Sequence, residues 1–161
     1  MMTTGCLIVH ETAGVCRLNG RTRLTGMKGE YYVLTPLYLN DATLYVPADN
    51  SKVKIRPVMS RQQAEELISR LPRIEPVCFE SLNDQKVRCA SILKSGDSYQ
   101  LASLVKALYQ HQQRRSRQNK RSAITDTAVL KKAESLLFGE LAAALEIDYP
   151  SVLDRVEGLL K

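Results

Sequence analysis

Ser60-Arg-Gln-Gln-Ala-Glu-Glu-Leu-Ile-Ser-Arg-Leu-Pro72 is the stretch at which the hydrophobic pattern of this chain changes from a strand period to a helical period. Ser60 and Gln63 have the spacing of a capping box, in which each side chain accepts a hydrogen bond from the backbone N–H of the other residue. Pro72 ends the pattern, because proline cannot continue a helix. We therefore predict a helix between an all-β first half and a helical second half.

The first half contains short runs of β-branched and aromatic residues, separated by Gly, Asn, Asp or Pro, which is typical of strands. Asn40-Asp41 is predicted to form a hairpin tip. Asn19-Gly20 is a second candidate turn, or alternatively part of a strand that continues into Arg21-Thr-Arg23. Five short strands predict a small SH3-like β-barrel, because closure of a sheet removes its exposed edges. The clearest runs are residues 6–9, 14–18, 30–35 and 43–46.

The second half shows helical spacing, with Leu or Val at i, i+3, i+4 and i+7 of residues 101–108. Ser95-Gly96-Asp97 separates two helices, Thr125 is predicted to be the N-cap of the next helix, and Pro150 to begin a short last one. We expect the apolar faces to pack into one bundle core. The predicted fold class is α+β, with a β-barrel domain at residues 1–58, a linker helix at residues 59–72 and an all-α helical bundle at residues 73–161.

Length and composition narrow the class of protein. The chain has 161 residues, 44% of them hydrophobic, which is enough for one good core or two small ones. No apolar run approaches the roughly 20 residues of a membrane span, and no signal peptide is recognisable, so we expect a soluble cytoplasmic protein. The four cysteines lack CxxC spacing and a companion histidine cluster, so we expect buried apolar thiols, no metal site and no cofactor. They are Cys6, Cys16, Cys78 and Cys89.

Positive charge is concentrated in one region. From Lys86 to Arg121 there are nine basic residues and one acidic residue, Asp97, although the net charge of the whole protein is only +6. Five of the basic residues lie in residues 111–122, which we interpret as a loop between two long helices. A basic run is often merely solvated, but on a shared basic face it would contact about six DNA phosphates, with a slope of log K against log salt of about −5. The other members of that face would be Lys86, Arg88, Lys94 and Lys106.

Seven short segments of the chain stand in a specific order and spacing. They are Gly5-Cys-Leu-Ile-Val9, Gly14-Val-Cys16, Glu30-Tyr-Tyr-Val-Leu34, Leu44-Tyr-Val-Pro-Ala-Asp-Asn50, Ile55-Arg-Pro57, Lys94-Ser-Gly-Asp97 and Leu137-Phe-Gly-Glu-Leu141. In these segments the chain resembles the CarD/CdnL family of bacterial transcription regulators. The first half is also similar to the RNA polymerase-interaction module of transcription-repair coupling factor.

The resemblance implies a function without covalent chemistry. In this family a Tudor-like N-terminal domain docks on the RNA polymerase β subunit, while the C-terminal helical domain contacts upstream promoter double-stranded DNA and stabilises the open complex. Tyr45 stands where many members have Arg, so contact here would depend on backbone pairing and aromatic area. An ordinary cross-strand partner on the sheet surface is the alternative for this tyrosine. The residues that the resemblance assigns to polymerase binding are Arg21, Arg23, Tyr45, Val46 and Pro47.

A second departure from the family concerns DNA contact. Many relatives insert a Trp of the first C-terminal helix into the minor groove, but this chain contains no Trp. Leu82 falls nearest to that position, with Phe79 as a rival; either is a candidate apolar wedge, and buried packing is the alternative. The basic loop is longer than is common in the family, so its phosphate contacts would compensate for the missing Trp. The predicted DNA-binding residues are Leu82, Lys86, Arg88, Lys94, Arg114, Arg115, Arg117, Lys120 and Arg121.

Two other classes of function remain open. A stand-alone DNA- or RNA-binding regulator that does not bind polymerase would need a helix-turn-helix or an aromatic RNA platform, and neither is recognisable. An enzyme would need catalytic partners for His10 or His111, and no nucleophile, phosphate loop or metal set can be placed beside either. We therefore expect a monomeric, non-enzymatic protein that associates with the nucleoid through RNA polymerase and not with a membrane.

Overall fold

The computed structural model describes residues 4–11, 13–38, 42–48, 55–117, 124–156 and 158–160, without the side chains of residues 115–117 and 124–126. In this part of the chain a five-stranded antiparallel sheet precedes five α-helices, in agreement with the predicted α+β class. The strands are β1 (Leu7–His10), β2 (Gly14–Thr22), β3 (Tyr31–Pro36), β4 (Leu44–Pro47) and β5 (Ile55–Pro57). The helices are α1 (Arg61–Arg70), α2 (Leu82–Ser95), α3 (Ser98–Arg117), α4 (Ile124–Leu145) and α5 (Tyr149–Val156).

The sheet has the strand order β4-β3-β2-β1-β5, and every pair is antiparallel. Successive residues point to opposite faces, and Leu18 and Leu34 are opposite each other on the buried face. β2 continues through Asn19-Gly20 with a register shift, so this dipeptide forms an irregularity within a strand rather than a turn. The predicted hairpin tip at Asn40-Asp41 lies outside the described residues.

Closure of the sheet into the predicted barrel is not observed. β4 and β5 are the two outer strands, and the described residues form no pairing between them. Residues 49–54, which join these strands, lie outside the described part of the chain. We expected closure because exposed edges invite pairing with other chains, yet an edge strand of only three residues, such as β5, exposes little backbone.

α1 begins with the predicted capping box. The Ser60 hydroxyl accepts a hydrogen bond from the Gln63 backbone N–H at 3.1 Å, and Gln63 Oε1 accepts one from the Ser60 N–H at 2.9 Å. The helix ends before a 3-10 turn that contains Pro72, as predicted. Ala64 and Leu67 are buried in the same core cluster as residues of α3 and α4, so α1 is integrated into the helical half. The division into three domains stays a prediction.

One of the two long helices extends into the predicted basic loop. α3 reaches Arg117, so the interpretation of residues 111–117 as loop was wrong. Gln and Arg favour helix, and neither Gly nor Pro interrupts this stretch. Thr125, predicted as an N-cap, is instead the second residue of α4, whereas Pro150 lies in the first turn of α5 as predicted.

The four cysteines lie in three kinds of environment. Cys16 and Cys89 are buried, as predicted, and none of the four thiols, all in the described part of the chain, forms a disulfide. Cys78 is exposed and Cys6 is half-buried, so the expectation of buried thiols was wrong for these two. Burial raises the pKa of the Cys16 thiol to about 11, which keeps it protonated and unreactive at neutral pH.

The sheet and the helices meet at the middle of α4. Tyr38, which follows β3, places its ring against Gly139, and a Cβ atom at Gly139 would lie 2.8 Å from Tyr38 Cδ2. The ring centroids of Tyr38 and Tyr149 are 5.8 Å apart. Glycine inside a helix costs about 1 kcal/mol relative to alanine. The close approach of the Tyr38 ring explains why α4 has no side chain at this position.

Gly139→Ala should therefore destabilise the protein, although alanine favours helix. The added Cβ displaces the Tyr38 ring, and we expect the free energy of unfolding, measured by urea denaturation, to fall by about 1–3 kcal/mol. In a Tyr38→Ala background the same substitution should be neutral or stabilising by up to about 1 kcal/mol, because only the helix propensity remains. Equal losses in both backgrounds would show that Tyr38 does not impose the requirement for glycine.

Candidate functional site

The strand β4 forms one edge of the sheet and pairs with β3 on one side only. Val46 lies opposite Tyr32 and is 3% exposed, whereas Tyr45 lies opposite Val33 and is 49% exposed. The buried Val46 fixes the strand to the core, and Tyr45 points outward because successive residues of a strand alternate between faces. The other backbone edge of β4 has no strand partner among the described residues. A partner strand can pair with such an edge.

Arg21 does not lie on this edge. It is in β2, opposite Tyr32 of β3, and its guanidinium lies 5.1 Å from the Tyr32 ring centroid and donates to the Tyr32 hydroxyl at 3.2 Å. Arg21, Tyr32 and Val46 form one cross-strand row, so their side chains lie on the same face of the sheet. Tyr45 is the neighbour of Val46 in β4, and its side chain therefore lies on the opposite face. Arg23 follows the end of β2 and is exposed. The predicted polymerase-binding residues are thus divided between two faces, with Tyr45 and Pro47 together on the outward one.

The start of α2 is fixed by local hydrogen bonds. The Ser81 hydroxyl accepts from the Asp84 backbone N–H at 3.0 Å, and the Asp84 carboxylate accepts from the Glu80 N–H, also at 3.0 Å. Leu82, the first residue of the helix, is 80% exposed, and Val87 is 61% exposed. Lys86 and Lys94 are exposed on the same helix. We call Leu82, Lys86, Val87 and Lys94 the α2 surface.

Of the two wedge candidates, only Leu82 projects into solvent. Phe79 is half-buried against the helical core, and the guanidinium of Arg88 lies 5.9 Å from its ring centroid. The alternative that Leu82 is a buried packing residue was wrong. Val87 was not among the predicted residues, and only its position beside Lys86 on the outer side of α2 marks it in the sequence.

Lys106 does not share the basic face, which corrects its predicted role. Its side chain is buried, with the residue 7% exposed, and Nζ donates to the carbonyl oxygens of Leu71, Pro72 and Ile74 at 3.0, 3.0 and 2.8 Å. Three acceptors satisfy the three protons of the ammonium group. Lys106 therefore holds the segment between α1 and α2 and is unavailable to phosphates.

The other basic residues differ in their availability. Arg88 donates to the Cys78 carbonyl oxygen and lies 4.0 Å from the Asp84 carboxylate, with 45% of its side chain exposed. Arg114 is exposed at the end of α3. Arg115 and Arg117 belong to α3, but their side chains lie outside the described residues, as do Lys120 and Arg121 entirely.

A groove of about 480 Å³ brings the start of α2 next to the end of α3. Phe79 and Leu82 lie on one side, and His111 and Arg114 on the other. The structure therefore brings Leu82 and Arg114 together, although they are far apart in the sequence. Of the α2 surface, Leu82 lines this groove together with the cation Arg114.

The candidate catalytic residues gain no chemical role from the structure. His10 is 9% exposed, its Nδ1 accepts a hydrogen bond from the Ala13 N–H at 3.2 Å, and burial lowers its pKa. His111 lies in α3 beside the groove. Within the described ranges, no group of three or more His, Cys, Asp or Glu side chains is arranged to hold a metal ion. The helices of the described chain include none that is long and apolar enough to cross a membrane.

Comparison with protein families gives two matches, in the order of the two halves. Residues 2–59 match the CarD-like/TRCF RID domain, and residues 83–157 match the C-terminal domain of CarD. A search of curated proteins gave no match. The two matched regions together cover most of the chain and include β4, Lys86, Val87 and Lys94, whereas Leu82 lies one residue before the second match. This chain belongs to the CarD family, and it is a transcription regulator.

Proposed function

We propose that this protein docks on the RNA polymerase β subunit through β4, contacts upstream promoter DNA through the α2 surface and Arg114, and modulates the stability of the open complex. Family membership supports transcription regulation as the process. We further propose the docking partner, the contact with DNA and the location at the nucleoid. The observation that carries it is the 80% exposure of Leu82 beside Lys86, at the capped start of α2.

An exposed leucine next to cations suits the minor groove. Proteins that bend or open DNA there insert apolar side chains between base steps, while nearby cations contact the phosphates. Leu82 has the exposure for the first role, and Lys86, Lys94 and Arg114 have it for the second. Such contacts carry little sequence information, so the binding is expected to be non-specific.

The edge strand supports the polymerase contact. β4 offers backbone groups for pairing with a partner strand, and Tyr45 adds an exposed aromatic ring beside them. Tyrosine is among the residue types that dominate binding energy at protein interfaces. Docking would also hold the α2 surface at high local concentration beside the promoter, so that weak DNA contacts suffice.

The second candidate is a stand-alone DNA- or RNA-binding regulator that does not bind polymerase. The exposed cations of α2 and α3 alone would support it, because non-specific binding of nucleic acid requires only phosphate contacts. It gives Tyr45 only the role of a cross-strand partner of Val33 and makes no use of its exposed ring, which favours the polymerase-docking proposal. Catalytic activity is not expected under either proposal.

Tyr45→Ala in the full chain should weaken binding to the isolated RNA polymerase β subunit about tenfold, because an interface tyrosine commonly contributes more than 1 kcal/mol. Biolayer interferometry gives the affinity. Tyr99→Ala is the matched control, since Tyr99 is also exposed, at 42%, but lies on α3. Absence of binding by the unaltered protein at low salt would reject docking on polymerase, and equal losses in the two variants would reject β4 as the contact.

Combined Lys86→Gln, Lys94→Gln and Arg114→Gln substitutions should make binding to duplex promoter DNA less sensitive to salt. Each lost phosphate contact reduces the slope of log K against log salt by about 0.9, so a change of about 2.7 is expected. Fluorescence anisotropy over a series of salt concentrations measures it. Lys28→Gln, at an exposed position in the sheet half, should leave the slope unchanged. An unaltered slope in the triple variant would show that these cations do not contact DNA.

Leu82→Ser should shorten the lifetime of the promoter open complex about tenfold relative to the unaltered protein, because an apolar wedge offsets a few kcal/mol of base unstacking. The salt dependence of DNA binding should not change, since no phosphate contact is lost. Leu153→Ser, at an apolar position on α5 that is 37% exposed, is the control. Similar lifetimes for the two variants would reject the wedge role of Leu82.

A further inference from the structure

The carboxylate of Glu140 lies buried where the sheet meets the helices. Glu140 is in α4 and is 1% exposed, and Arg56 of β5 donates to both of its oxygens at 2.6 Å. The Met59 backbone N–H donates to the same carboxylate at 2.9 Å, and the Ser98 hydroxyl at the start of α3 lies 3.3 Å from it. One carboxylate thus joins β5, the connection to α1, α3 and α4.

Arg56 makes a further contact at the end of α2. It donates at 2.8 Å to the carbonyl oxygen of Gly96, the left-handed residue with φ of 69° that ends the helix. Planar guanidinium groups with two parallel bonds to a carboxylate fix orientation as well as distance. Arg56 therefore determines how β5 is oriented relative to both α2 and α4.

Three of the seven segments that resemble the CarD/CdnL family converge at this junction. Ile55-Arg-Pro57 supplies Arg56, Lys94-Ser-Gly-Asp97 supplies the Gly96 carbonyl, and Leu137-Phe-Gly-Glu-Leu141 supplies Glu140. The last segment also contains Gly139, against which the Tyr38 ring packs. Arg56, Gly96 and Glu140 themselves belong to neither of the surfaces proposed for docking and DNA contact.

We propose that Arg56 is a positioning residue: through Glu140 and Gly96 it holds the sheet and the helical half at one angle, so that docking of β4 on polymerase places Leu82 at a defined point on the promoter. The consequence for DNA rests on the proposed function. The rigidity of the junction does not depend on it.

The geometry of α2 makes this angle important. The helix has 14 residues and is therefore about 20 Å long, with Gly96 at one end and Leu82 at the other. A tilt of about 15° at the Gly96 end displaces Leu82 by about 5 Å, which is close to the width of the minor groove, about 6 Å. Loss of the Arg56 contacts should thus misplace Leu82 without altering either surface.

The rigidity is tested by ¹⁵N relaxation of the full chain. In the unaltered protein, amides of the sheet and of the helices should have the same rotational correlation time. In the Arg56→Gln variant the sheet and the helices should have different correlation times, both shorter than that of the unaltered protein. Arg56→Lys keeps the charge that compensates Glu140 but cannot form two parallel hydrogen bonds to it. The protein should therefore stay folded, while the sheet and the helices should again have different correlation times. A common correlation time in both variants, or two different times in the unaltered protein, would overturn the inference.

Arg155→Gln is the matched control for this experiment. Arg155 also donates two hydrogen bonds to one carboxylate, Glu65, at 3.2 and 2.8 Å, but both residues belong to the helical half. Its loss should leave the common correlation time intact. If Arg155→Gln separated the two halves as Arg56→Lys does, the effect would reflect general loosening of the fold and the inference would fail.

The consequence for transcription is tested with polymerase and a promoter. Arg56→Lys should reduce the effect of the protein on open-complex lifetime at least about tenfold, while its affinity for the β subunit and the salt dependence of its DNA binding stay unchanged. An unchanged lifetime effect would overturn the positioning role. Failure of the unaltered protein to bind the β subunit would instead reject the proposed function, and the relaxation result would stand independently.

Discussion

The ion pair between Arg56 and Glu140 is the contact on which the arrangement of the two halves depends. A buried carboxylate destabilises a fold unless it is paired and hydrogen-bonded, and no other side-chain cation is described at Glu140. The helical half therefore contains a charge that only the sheet compensates. The sheet in turn gains a fixed partner for β5, a strand of only three residues. The packing of Tyr38 against Gly139 adds a steric constraint beside this electrostatic one.

Basic residues of one charged segment serve different purposes. Lys106 satisfies three carbonyl oxygens of the connection between α1 and α2, and Arg88 holds the following segment through the Cys78 carbonyl and the ring of Phe79. Lys86 and Lys94 remain at the surface. Lys106 and Arg88 thus fix the chain that leads into α2, whereas Lys86 and Lys94 are available to a partner. Leu82, the first residue of α2, directly follows this fixed segment and is 80% exposed.

The absence of Trp in this family member changes the balance of the proposed DNA contact. Leucine has less apolar area than the tryptophan of many relatives and cannot donate a hydrogen bond, so under the proposed function it would insert less deeply and stabilise an opened base step less. Val87 is a second exposed apolar residue on α2, at 61% exposure. The cations of α2 and of the end of α3 would then carry a larger share of the proposed interaction. A rigid junction would limit the loss that a smaller wedge causes.

Local signals in the sequence determined the order of strands and helices, the capping box at Ser60 and the family, because these depend on neighbouring residues and their spacing. The prediction of a loop for residues 111–117 was wrong, because Gln and Arg have high helix propensity whatever the charge of the stretch. Only the tertiary structure decided that Lys106 is buried, that Leu82 is exposed and that Arg56 reaches Glu140. Those outcomes depend on which distant segments pack together, and the positive charge of a lysine or arginine in the sequence does not reveal whether a carbonyl, a carboxylate or solvent will surround it.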